Sequence, residues 1–195
     1  MIPSAIRTRS FTAALLIVRV CAAGGDRLAA QPTADRPLTL SFAGDSYLHR
    51  WSKAGQHEFT PKGEEDLSKW NSMITLNVHD ARTGDQLAEL ANGVLANYQQ
   101  AGKILRTDSK PRTATAEAEH LIAAVLINPA FLEAAFARIL LHEGQGLVVV
   151  YSKRVYGTKA GNEMSSWLEK NGPDTERALM TWTGMPPLAT LKALR

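Results

Sequence analysis

Cysteine is almost missing from this chain of 195 residues: Cys21 is its only one. Everything beyond it is therefore without disulfides, thiolate nucleophiles and cysteine-type zinc sites. Stability past that point must come from a packed core, and about 165 residues suffice, since a domain of that size buries roughly two-thirds of its surface. Long apolar runs are missing too. Nothing after residue 30 approaches the roughly 20 apolar residues that span a bilayer. An excess of one charge is missing once the first thirty residues are set aside. They hold Arg7, Arg9, Arg19, Arg27 and Asp26, so 22 basic and 19 acidic residues become 18 of each. The net charge of +3 belongs to the leader and gives no reason to expect a nucleic acid partner.

The leader has a positive start at Arg7 and Arg9, an apolar run from Phe11 to Val18, and small residues from Ala22 to Ala30. That order is the layout of a secretory signal peptide over residues 1–30, with cleavage after Ala30 or Ala23. Arg19 shortens the apolar core to about eight residues, too few to cross a membrane and at the low end for a signal. A lipid anchor at Cys21 is not expected, because Val18-Arg19-Val20 precedes it instead of a small residue with a leucine behind it. The reading is therefore a periplasmic or secreted protein with one domain over residues 38–183 and a tail over 184–195.

Leu38 to Phe42 alternates apolar and polar residues, the strand period, and Gly44-Asp45-Ser46 turns it into a second short strand, Tyr47 to Trp51. One helical turn is placed at Asp66 to Trp70, and the next strand runs from Ser72 to His79. Asp85 to Gln100 is the clearest helix, with Leu87, Leu90, Ala91, Val94, Leu95 and Tyr98 on one stripe and Gly102 as its stop. Lys103 to Thr107 reads as an edge strand, and Asp108 to Ala116 as a loop. Three strands follow: Glu119 to Ile127, Phe131 to His142 and Leu147 to Tyr156. The alanines of the middle one favour helix, but Glu143-Gly144-Gln145-Gly146 links it as a hairpin to a strongly β segment. Ala160 to Trp182 is helical with a break at Asn171-Gly172-Pro173. The fold class is α+β: a central antiparallel sheet packed by helices.

Catalytic motifs do not emerge. The five histidines, His49, His57, His79, His120 and His142, form no His-x-His or His-x-x-x-His pair, and structural zinc normally shows closer spacing. No Gly-x-Ser-x-Gly elbow or P-loop occurs. Gly157 to Gly161 precedes a helix and has backbone N–H groups for an anion, or is a plain connection. No catalytic residue, cofactor or metal is assigned. The best candidate is the last strand, where one face carries Tyr151 and Lys153 and the other Arg154 and Tyr156. Both cations require one face to open to a groove or solvent. Pairing across the Glu143–Gly146 turn, taken with opposed residue numbers summing to about 291, sets Arg138 opposite Lys153 and Arg154 opposite Ala137. Like charges placed opposite are unfavourable unless an anion sits between them. The candidate ligand-binding residues are thus Arg138, Arg154, Tyr156 and His120, for a small anion or an acidic protein partner. The competing assignment pairs these arginines with Glu58, Glu119 and Glu133.

The element order, with Trp51, the long helix and the Leu147–Gly157 strand as landmarks, resembles the PsbP-like fold, an antiparallel sheet between helical layers found in exported or lumenal domains. Glu58-Phe59-Thr60-Pro61 and Ala118-Glu119-His120-Leu121 look like segments of exported proteins of Gram-negative bacteria. The resemblance covers most of residues 38–183. It implies a non-enzymatic binding or assembly accessory with no common active site. The alternative is a small hydrolase with a polar site around Glu119, His120, Arg138 and Arg154.

Overall fold

A computed structural model describes residues 37–194, so the leader and Cys21 lie outside the described residues. Eight strands form one antiparallel sheet: β1 (Thr39–Phe42), β2 (Asp45–Lys53), β3 (Gln56–Pro61), β4 (Ser72–His79), β5 (Gly102–Lys110), β6 (Glu119–Asn128), β7 (Phe131–His142) and β8 (Gln145–Tyr156). Their spatial order is β1-β2-β3-β4-β8-β7-β6-β5. Three helices accompany them: α1 (Gly84–Ala101), α2 (Ala160–Thr181) and α3 (Leu188–Ala193).

The sheet has an apolar layer on each side, because β4, β6, β7 and β8 are apolar at most positions rather than at alternate ones. On one side Leu87 and Ala91 of α1 pack on Ile122, Ala137, Ile139 and Val148, with Leu90, Val94, Leu95 and Tyr98 at the margin. This is the helical stripe the spacing predicts. On the other side Met164 and Leu179 of α2 and Leu188 and Leu191 of α3 meet Leu40, Phe42, Phe59, Leu76, Phe136 and Val149. The alanines of β7 are what lets helices approach closely from both sides; Ala134, Ala135 and Ala137 have no exposed surface.

The expected run of three antiparallel strands over 119–156 is present, and Phe131–His142 is a strand despite its helix-favouring alanines. Four expectations need correction. A strand missing from the sequence reading, β3, pairs with both β2 and β4. Its turn is Ala54-Gly55, whose alanine takes φ 51°, a conformation alanine rarely marks. Helix α2 runs unbroken through Pro173. Asn171 Nδ2 donates to the Trp167 carbonyl just before the proline, and Met164 and Leu179 seat both halves on the same sheet face. The edge strand β5 continues to Lys110, so the loop begins later than expected. Finally, β7 and β8 join through the two residues Glu143 and Gly144, both with positive φ, the two-residue hairpin geometry that suits twisted strands. The observed pairing lies four positions from the expected one. Arg138 faces Val149, Arg154 faces Glu133 and Lys153 faces Ala134. The Arg138–Lys153 repulsion that motivated an anion site does not arise.

Candidate functional site

Register fixes where each candidate side chain points, since successive strand residues face opposite sides. Arg138 and Glu119 lie on the α2 side of the sheet; Arg154, Tyr156 and His120 lie on the α1 side. The four candidates therefore do not converge. The same division separates Glu119 and Arg138 from His120 and Arg154, so the alternative hydrolase constellation is not assembled.

Arg138 is 5% exposed. Its Nε donates to Glu119 Oε2 at 2.8 Å, and its Nη1 donates to the carbonyls of Leu179 and Trp182 at 2.9 and 2.7 Å. Those carbonyls belong to the C-terminal end of α2, which has no basic residue in its own last turn. The sheet supplies the cation instead, and a cation there complements the helix dipole and the orphan carbonyls. Lys110 reinforces it, donating to Met180 O and to Glu119. The arginine and lysine together hold the Glu119 carboxyl below its usual range against the opposing effect of burial.

Arg154 is likewise satisfied within the fold. Its guanidinium sits between the rings of Trp70 and Phe131, 3.8 and 3.9 Å from their centroids, and its Nε donates to Glu133 Oε2 at 2.8 Å. The neighbouring Tyr156 hydroxyl donates to Trp70 O and accepts from Trp70 N. Arg154 and Tyr156 thus share a face, as the alternation requires, and pin the 62–71 connection to the sheet. His120 stands at the other end of that side, bonded through Nδ1 to Ser109 Oγ on the edge strand. The assignment of these arginines to glutamates holds for Arg138 with Glu119 and Arg154 with Glu133, with the arginines buried or nearly so.

The groove opens on the other face of the last strand, the one carrying Tyr151 and Lys153. Here a cleft of about 480 Å³ lies between α2 and the sheet, lined by Asp45, Ser72, Tyr151, Lys153, Trp167 and Asp174, among others. The volume lies within the range of small-molecule sites. Its aromatic wall is built in layers. Trp167 stacks on Tyr151 with centroids 6.5 Å apart and planes at 21°, and Phe136 and Phe42 pack behind them. Such aromatic clusters are rigid and shape-specific. Behind the lining, the buried Tyr47 hydroxyl donates to Ser72 Oγ at 3.4 Å. Burial raises the phenols of both Tyr47 and Tyr151, with the nearby carboxylates of Asp45 and Glu64 adding to it. Both stay protonated donors at physiological pH. Lys153 makes no ion pair among the described residues, although its charge helps hold Glu64 low. The cleft thus offers a cation, the Tyr151 and Ser72 hydroxyls and a ring surface, with the carboxylates of Asp45 and Asp174 also in its lining. The sequence reading identified the Tyr151–Lys153 face and the need for an opening. It missed Asp45, Trp167 and Asn171, which reach the site only through the placement of α2.

A second polar cluster lies on the same side of the sheet, toward α3. Ser52 Oγ is 2.7 Å from His49 Nε2 and 2.8 Å from His57 Nδ1. Burial pushes both imidazoles below their ordinary range. In the unfolded chain they take up protons near pH 6.5, before the folded ones do. The unfolded state then binds more protons, and stability falls as pH drops through that region. The expected result is a melting temperature that declines from pH 7.5 to 5.5, with a shallower decline in His57→Gln. Identical slopes in the two proteins would rule His57 out as a contributor. No protein-family model matches this chain, and a search of curated proteins gives no match.

Proposed function

We propose that this chain is an exported binding or assembly-accessory domain of PsbP-like architecture, and that its ligand occupies the cleft between α2 and the sheet. The carrying observation is the Lys153 ammonium, which makes no ion pair among the described residues and stands beside the Trp167–Tyr151 stack in a cleft of about 480 Å³. A planar molecule bearing a carboxylate or a similar anion suits it: the rings take the plane, and Lys153 with the Tyr151 hydroxyl takes the charge. A protein partner would fit the same cleft by inserting an aromatic or acidic side chain. Helices on both faces of an antiparallel sheet support the PsbP-like reading, and the basic, apolar and small segments of residues 1–30 support export. An intact Met1 on protein recovered from the periplasm would overturn export.

Thermal shift with small aromatic carboxylates, benzoate and indole-3-acetate, tests the cleft. Ligand that binds only the folded state raises the melting temperature by mass action. We expect a rise with the unmodified protein and none with Lys153→Gln, whose own melting temperature should barely change because the ammonium makes no ion pair among the described residues. An equal rise in both proteins would place the ligand elsewhere.

A further inference from the structure

The His49–Ser52–His57 cluster owes its existence to an irregularity in β2. His49 faces Phe59, but Trp51 faces Glu58, so Arg50 is an extra residue in the strand. Without it, residues 49 and 52 would lie on opposite faces of the sheet. The bulge brings them to one face, and Ser52 is then directly opposite His57 on β3. Bulges of this kind re-aim side chains and recur beside active sites. Arg50 fixes the bulge by donating to Thr60 Oγ1 and Pro61 O, each at 2.9 Å.

Ser52 Oγ lies within hydrogen-bond reach of an imidazole nitrogen on each side, 2.7 Å from His49 Nε2 and 2.8 Å from His57 Nδ1. Its hydroxyl has one proton, so it donates to one ring nitrogen and can accept from the N–H of the other; the shorter contact is to His49 Nε2. A serine hydroxyl in hydrogen-bond reach of an imidazole is the core of the arrangement that activates a hydroxyl nucleophile. Ser52 also borders a cavity of about 280 Å³ beneath α3, together with Lys53, Gly55, Val78, Leu191 and Lys192. The cluster is not simply sealed in the core.

We propose that Ser52 is an activated serine that accepts acyl groups from small esters, with His49 as its general base and His57 holding Oγ in place. In the first step Ser52 Oγ forms a bond to the ester carbonyl carbon while its proton passes to His49 Nε2. The carbon–alkoxy bond then breaks, and the proton on His49 goes to the departing alcohol. Water attacks the acyl–serine, His49 takes the water's proton, and that proton returns to Ser52 Oγ as the acid leaves. The balance is ester plus water to acid plus alcohol. The cavity's size and its Val78 and Leu191 walls suit a short apolar acyl group, and the lysines at its border suit an ester carrying a negative charge. This activity is independent of the cleft at Lys153.

The test uses the full chain and a fluorophosphonate, which phosphonylates activated serines, followed by intact mass and peptide mapping. We expect one adduct, on Ser52, forming at least about 100-fold faster in the native than in the urea-unfolded protein, the lower range of general-base assistance. The rate should fall as acid protonates His49, and His49→Gln should lose most of it. The native-against-unfolded comparison needs no variant that might fail to fold. Labelling no faster than in the unfolded chain, or labelling of a different serine, would overturn the proposal.

Discussion

Arg138→Ala should cost about 3–5 kcal/mol of folding stability, the penalty typical of breaking a buried ion pair from one side. The guanidinium is 5% exposed and satisfies Glu119 and two carbonyls at the end of α2 at once. Its removal strands a half-buried carboxylate and leaves the Leu179 and Trp182 carbonyls without their cation. Glu119→Gln should cost less, because the arginine keeps both carbonyls and an amide oxygen can still accept. Urea denaturation of the two variants checks this. Binding of aromatic carboxylates by Arg138→Ala that remains folded should match the unmodified protein, since Arg138 does not line the cleft. A stability loss under about 1 kcal/mol would show that the arginine does not anchor α2. Unchanged stability with lost binding would return it to the ligand site.

Phe136→Ala should have an effect of similar size, about 3–5 kcal/mol, from lost burial and the cavity left behind. Phe136 is 1% exposed and stands 6.4 Å from Tyr151 and 6.2 Å from Trp167, centroid to centroid. It is the support behind the aromatic wall of the cleft. Stability and site should therefore suffer together: a lower urea midpoint accompanied by a weaker near-ultraviolet circular dichroism signal as Trp167 and Tyr151 lose their fixed geometry. A lowered midpoint with an unaltered aromatic signal would mean that the wall does not depend on Phe136.

Much of the architecture was legible because its signals are local. The stripe from Leu87 to Tyr98 specified α1, and β composition in Leu147–Tyr151 carried the three-stranded run. Register was not legible in the same way. It depends on whether Glu143 and Gly144 alone make the turn, and a four-residue error moved Arg138 from its glutamate-paired position to a false apposition with Lys153. The strand β3 escaped because Ala54 at positive φ is not a turn signal and Gln56 to Thr60 holds one large apolar residue. Pro173 argued for a helix break by propensity, and tertiary packing of Met164 and Leu179 overrode it.

The candidate site divides along the same line. Alternation along β8 is local, and it separated Tyr151 and Lys153 from Arg154 and Tyr156 correctly. Which of those faces opens was a tertiary matter. Trp70 and Phe131 close over Arg154 from outside the strand, whereas α2 leaves space beside Lys153. The cluster of His49, Ser52 and His57 was invisible for a similar reason, because it needs a bulge at Arg50 that no residue pattern announces.

The most direct measurement of the central claim is a 15N-labelled titration of the full chain with indole-3-acetate, followed through backbone amides and the four tryptophan indole N–H signals, with Trp167 assigned by Trp167→Phe. If the cleft between α2 and the sheet is the binding site, shifts should concentrate at the Trp167 indole and the amides of Tyr151, Lys153 and Asn171. They should saturate in the millimolar range or below, corresponding to about −4 kcal/mol or better, and should vanish in Lys153→Gln. Shifts clustered around Arg154 and Tyr156 or around Arg138, with Trp167 silent, would contradict the account.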